Sequence, residues 1–228
     1  MNTVPFINYL PQLLSGTLTT IALMIFSLLI GLFLAILLTV ASASRKKIFQ
    51  YPINAYVFFI RGTPLLVQFF LIYFGSSQFE WLRQSIFWYL FQKPFVCAVI
   101  ALAINTSAYT TVLFRGAINS IPHGEIEASK ALGMSWLVMM RRIVLPRALR
   151  IVLPAYSNEV VMVLKGTSLA STITLLDLMG VTQRIIAENY AAIEFLVLAG
   201  IIYLLLNTLI ITIFRYLEHK FNPHRLAT

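Results

Sequence analysis

One acidic residue, Glu159, falls deep inside an apolar segment, nine positions beyond Arg150. At about 1.5 Å of helical rise per residue it lies near the middle of a hydrocarbon core about 30 Å thick. A charge at that depth costs about 2.5 to 3.5 kcal/mol on insertion scales, so the side chain should face a wet cavity or a partner rather than lipid. Asn105 stands ten residues before Arg115, at a similar depth, and Tyr109 follows one helical turn later on the same face. With Asn158 and Gln68 they form a set holding one carboxylate and several neutral hydrogen-bonding groups. That set suits a guanidinium or ammonium group, paired to Glu159 and oriented by the amides and the phenol. The same residue types also pack membrane helices against one another, so the sequence supports either role. Lys165, six positions along and so about 240° around the helix, is badly placed to pair with Glu159.

Little else suggests reactive chemistry. The three histidines, His123, His219 and His224, lie outside the apolar runs. No His-Glu-x-x-His, no Gly-x-Ser-x-Gly and no Gly-rich phosphate loop with its Lys and Ser/Thr is present. The single cysteine, Cys97, rules out an internal disulfide framework and a thiolate metal cage. We therefore expect no catalytic residues, no metal and no cofactor held by this chain, which counts against an intramembrane enzyme and leaves a transport subunit among the readings. A channel is the remaining alternative.

The elements that must position Glu159 are membrane helices. Of 228 residues, 59% are apolar and 11% charged, and the mean hydropathy is +0.85. A soluble core of this size cannot hide so many long uncharged runs. Five spans are expected, at about 18–43, 52–75, 94–114, 151–169 and 195–214. The second is read as one helix kinked at Pro64, with Arg61 snorkelling to the headgroups. The aromatic-rich stretch 76–93 reads as an external interfacial segment, and 170–194 as an outside loop with a short helix. Twelve of the 17 basic residues fall in 45–47, 115–150 and the tail from Arg215, which places the N-terminus outside and the C-terminus in the cytoplasm. The net charge of +9 is thus topological, with no nucleic-acid partner implied. The first basic residue, Arg45, follows the first apolar run, so no cleavable signal is expected.

Between the third and fourth spans lies a charged, helix-prone loop, 116–150. Ile126–Leu132 predicts a short helix stopped at Gly133, and Ser135 to Val144 a second one, capped by Ser135 and closed before Pro146. Two short helices meeting at a glycine make an elbow exposed to the cytoplasm.

The spacing Glu127-Ala128, Gly133, Ile143-x-Leu145-Pro146 resembles the cytoplasmic Glu-Ala-Ala loop of permease subunits in bacterial ATP-binding-cassette importers. It departs at Ser129, where that pattern usually has a second alanine. Arg61-Gly62-Thr63-Pro64-Leu65-Leu66-Val67-Gln68 and Ser107-Ala108-Tyr109-Thr110-Thr111 are similar to signatures of the polar amino-acid branch. Tyr156-Ser157-Asn158-Glu159-Val160-Val161, continued by Thr167-Ser168-Leu169-Ala170 and Thr172-Ile173-Thr174, looks like the M-type permease subunit of arginine importers. The resemblance runs from about Leu10 to Arg225; Val112 stands where many relatives have glutamate, so any contribution of that acid is missing here.

The resemblance implies an all-α integral membrane protein of the type I importer permease fold, in the bacterial inner membrane, with 1–228 as one domain. It also implies import of a basic amino acid, arginine first, with histidine, lysine, ornithine or glutamine as alternatives. The implied partners are two ATPase subunits, which bind ATP and Mg and dock on the elbow, a second permease chain (paralogue or self) and a periplasmic amino-acid-binding protein.

Overall fold

The structure is a computed structural model describing residues 6–44 and 46–221; Arg45 and the tail with Arg225 lie outside the described residues. Every regular element among the described residues is helical. A short 3-10 turn, Phe6–Tyr9, leads into α1 (Leu10–Ala43). Next come α2 (Lys47–Gly62) and α3 (Leu65–Phe70), which continues as a π turn over Leu71–Gly75. Two single-turn helices, α4 (Glu80–Arg83) and α5 (Trp88–Phe91), precede α6 (Pro94–Asn119). The elbow holds α7 (His123–Ala131) and α8 (Trp136–Met139), the latter joined through a π turn to α9 (Leu145–Thr167). The 3-10 segment Ser168–Ile173, α10 (Leu178–Asn189) and α11 (Ala192–Phe221) complete the described chain.

Three helices are long and apolar enough to cross a bilayer by themselves: α1 with its leading turn, α6 and α11. Two bent pairs reach that length only together, α2 with α3 and the α8–α9 helix with α10, which gives three to five candidate spans. Of these, α6 is the hub, with 61% of its most apolar window buried against 6% for α11. It packs on α1, α2, α3 and α9.

What α1 buries explains how helices associate where lipid removes the hydrophobic drive. Its buried residues are Leu13, Gly16, Thr20, Leu23, Ser27, Gly31, Ala35, Thr39 and Ser42, spaced three or four apart and small apart from the two leucines. Such a stripe lets backbones approach and gain dispersion contacts. A Cβ on Gly31 would collide with the Thr106 methyl and lie 3.1 Å from the Ala103 carbonyl oxygen.

The structure differs from expectation in three places. First, the segment 52–75 is not one kinked helix. Its halves meet at 106°, and Thr63 and Pro64 are extended, because proline disfavours helical backbone in the residue before it. Second, 170–194 holds the expected short helix but is packed rather than loose: Leu178, Val181 and Ile185 of α10 pack with Leu13 and Phe195 in the core. The Asp177 carboxylate accepts from the Gly180 amide at 3.0 Å to start this helix, and the Leu178 amide donates to Thr20 Oγ1 at 3.0 Å, tying it to α1. Third, the second elbow helix does not close before Pro146. It runs on through the π turn Met140–Val144 into α9, with the Leu145 amide donating to the Met140 carbonyl. The wider turn accommodates a residue that lacks an N–H and whose ring would clash with an ordinary helical carbonyl.

The α2–α3 break is closed by two side chains, Thr63, whose hydroxyl donates to the Phe59 carbonyl at 2.9 Å and lies 3.4 Å from that of Ile60, and Gln68. Gln68 Nε2 donates to the Ile60 carbonyl at 2.8 Å and lies 2.9 Å from Thr63 Oγ1 and 3.2 Å from the Thr63 carbonyl. Its Oε1 accepts from Asn105 Nδ2 at 3.0 Å, so the broken segment is fixed to α6.

Two outcomes are expected. Gly31→Leu should cost about 1–3 kcal/mol by overpacking, read as a lower melting temperature of the detergent-purified protein. Gly200→Leu, whose Cβ meets nothing within 4 Å, should leave that temperature unchanged. Gln68→Leu leaves the Ile60 carbonyl only the longer Thr63 contact, at about 1 kcal/mol, and hydrogen exchange at residues 60–68 should rise while exchange in α11 stays constant.

Candidate functional site: a midplane cation seat and an elbow

The α2–α3 break determines where Arg61 lies. Arg115 Nη1 donates to Asn54 Oδ1 at 2.8 Å, which levels α2 with the end of α6. Arg61 lies seven residues beyond Asn54 and Tyr109 six residues before Arg115, so both sit about 10 Å deeper than that contact. There the guanidinium lies 5.0 Å from the centroid of the Tyr109 ring, within cation–π range. Arg61 therefore does not snorkel to the headgroups.

Glu159, on the middle of α9, is partly buried. It forms no ion pair with Lys165; the one ion pair among the described residues is in the elbow. Asn105 is committed to Gln68, and Gln68 is 7% exposed with every polar atom engaged, so both hold the seat in shape. Asn158 is exposed, turned about 100° from Glu159, and makes no hydrogen bond among the described residues. Tyr56, whose hydroxyl donates to the Ile104 carbonyl at 2.8 Å and lies 2.6 Å from Ser107 Oγ, anchors α2 to α6 nearby. The structure thus brings Glu159, Tyr109, Asn105 and Gln68 to one face and adds Arg61. The sequence held a signal for Arg61, which stands fourteen residues beyond Lys47, too far along a helix to reach the headgroups.

The elbow is built by the glycine stop that its spacing predicts. Gly133 takes φ +72°, its amide donates to the Lys130 carbonyl at 2.9 Å, and the Met134 amide donates to the Ser129 carbonyl at 3.1 Å, the paired bonds of a Schellman motif. Ser129 is 2% exposed, and its hydroxyl donates to the Glu125 carbonyl at 2.5 Å, so a small residue is required there. Ser135 occupies the N-cap position of α8 with extended backbone, but its hydroxyl makes no capping bond. Arg147 Nη2 meets Glu125 Oε1 at 2.6 Å, joining α7 to the start of α9. Ile121, Met139, Val144 and Ala148 press the elbow onto Ala117 of α6. Glu127, Ala128, Leu145 and Pro146 face outward, Ile143 is half-buried, and Leu132, Trp136 and Leu137 stand 76, 66 and 71% exposed. An apolar knob of that size beside a fixed turn can seat in a groove on another protein.

Comparison with known proteins agrees with this architecture. Residues 27–223 match the family described as binding-protein-dependent transport system inner membrane component. The octopine transport system permease protein OccM of Rhizobium meliloti is 43% identical, covering 95% of this chain and 88% of its own length. The arginine ABC transporter permease protein ArtM of Haemophilus influenzae is 42% identical over 94% of each chain. The histidine/lysine/arginine/ornithine transport system permease protein HisM of Escherichia coli is 42% identical, covering 92% of this chain and 89% of its own. Among solved structures, the crystal structure of an amino acid ABC transporter with histidines superposes with a TM-score of 0.86 at 30% identity, over 96% of this chain and 99% of that one. The MetNI methionine ABC transporter shares the fold, with a TM-score of 0.72 at 20% identity. Elbow, broken second helix and whole-length likeness agree: the chain belongs to the family of binding-protein-dependent transport system inner membrane components and is a transport permease subunit, not an enzyme.

Proposed function

We propose that this chain and a second permease chain line the pathway of an ATP-driven importer for a cationic amino acid, arginine first among them. The observation that carries the proposal is the seat around Arg61, whose guanidinium lies over the Tyr109 ring while the Glu159 carboxylate of α9 forms no ion pair among the described residues. A substrate guanidinium needs the same two partners, a carboxylate and a π face. Tyr109 and Glu159 are the contacts to substrate in this reading, Asn158 is free to join them, and Asn105 and Gln68 hold the wall. Arg61 is the cation a substrate must displace, which keeps the seat closed to neutral solutes. Relatives named for arginine, for histidine/lysine/arginine/ornithine, for octopine and for nopaline support the amino-acid class.

Energy enters at the elbow. With the N-terminus outside and the C-terminus in the cytoplasm, 116–150 faces the cytoplasm of a bacterium, where two ATPase subunits carry ATP and Mg. A periplasmic amino-acid-binding protein delivers substrate on the opposite side. The α8–α9 helix is continuous from Trp136 to Thr167 and carries Glu159, so a displacement of the knob moves the seat. Contacts that differ between inward- and outward-facing states are what transmit the work.

Glu159→Gln should lower arginine uptake by reconstituted complex about 10-fold or more, the loss of one charge-assisted pair, while insertion and assembly persist. Unchanged uptake at limiting arginine would remove Glu159 from the pathway. Gly133→Val forces a β-branched residue to positive φ at a cost of about 1–2 kcal/mol or more and should abolish co-purification of the ATPase. Retention of the ATPase at wild-type yield would show that the elbow is not its dock.

A further inference from the structure

A cavity of about 610 Å³ opens between the last third of α1 and the α8–α9 helix, with the end of α6 as its floor. Its walls are almost wholly apolar. Along α1 the lining runs from Leu32 to Ser44, twelve residues and so about 18 Å, which is close to the depth of one leaflet of a 30 Å core. On α6 the lining residues Phe114 and Ala117 are turned about 180° and 120° from Asn105, so the groove is separate from the cation seat.

Two features mark the end nearest the elbow. Thr39 lines the groove with a buried hydroxyl that has no hydrogen-bond partner, a costly state in hydrocarbon, and it lies five residues, about 7.5 Å, below Ser44. Two exposed cations stand next to lining residues in the chain: Lys46, whose amide donates to Ser44 Oγ at 3.4 Å, and Arg150, adjacent to Leu149. The nearby acid, Glu125, is already bound to Arg147.

We propose that this groove binds one acyl chain of an anionic phospholipid from the leaflet on the elbow side, with its phosphate between Lys46 and Arg150 and an ester carbonyl accepting from Thr39. The apolar length fits a chain, Thr39 offers an unpartnered donor on the groove wall, and the charge beside the groove selects the headgroup. The lipid then wedges α1 against the helix that joins the elbow to Glu159.

The complete reconstituted complex, in vesicles holding a small fraction of phospholipid with a photoactivatable acyl chain, tests this by mapping adducts. With a phosphatidylglycerol probe, adducts at 32–44 and 145–152 should exceed several-fold those at Leu204, Leu205 and Leu209, which are exposed on α11. A phosphatidylcholine probe, or the Lys46→Gln/Arg150→Gln double variant, should lower the groove adducts severalfold. Val40→Trp, at an exposed lining position, should remove them while the α11 adducts persist. Equal labelling of groove and α11, or no headgroup preference, overturns the proposal. So does a groove shielded from both probes, the mark of a protein chain seated there.

Discussion

A helix broken inside a membrane exposes backbone groups that lipid cannot satisfy, and the Gln68 amide is what meets them here. Its nitrogen answers the Ile60 and Thr63 carbonyls and its oxygen takes a hydrogen from Asn105. Together with the Thr63 hydroxyl on the Phe59 carbonyl, Gln68 lets α2 stop at Gly62 and α3 leave at 106° without stranded carbonyls at the turn. The depth of Arg61 and its place over Tyr109 both follow from the break being closed in this way. Gln68, read from the sequence among the pathway candidates, has its amide engaged in closing the break.

Around that point the bundle is held by close packing. The small residues of α1 bring it onto α6, where Gly31 has no room for a side chain. α9 packs on the same hub, burying Val160 and Leu164 with Ile210 of α11. The elbow is stopped by the Schellman turn at Gly133 and joined to α9 through a π turn, so that Trp136 and Leu137 share one helix with Glu159.

Much of this was legible in the chain. Glycine at 133, small residues at 128 and 129 and proline at 146 each answer a local backbone demand, and local demands can be read from local sequence. The long uncharged runs of α1, α6 and α11 are equally local. The second and fourth spans were harder, because Pro64 states that a helix must yield but not by what angle, and a kink and a right-angled break leave the same letters. The packing of α10 into the core was hidden because its apolar face makes sense only against Leu13 and Phe195, which are distant in sequence.

The sequence alone determined that the chain is a helical membrane protein, that a carboxylate stands near the midplane at 159, and that an elbow turns at Gly133. Composition, periodicity and the φ > 0 demand of one turn suffice for these. Only the tertiary structure decided that Arg61 stacks on Tyr109 of α6, that Gln68 and Asn105 are spent on each other, and that α10 packs against Leu13 and Phe195. Each of those depends on which groups meet across helices, and in a medium without water that meeting decides whether a polar side chain binds a ligand or closes the fold.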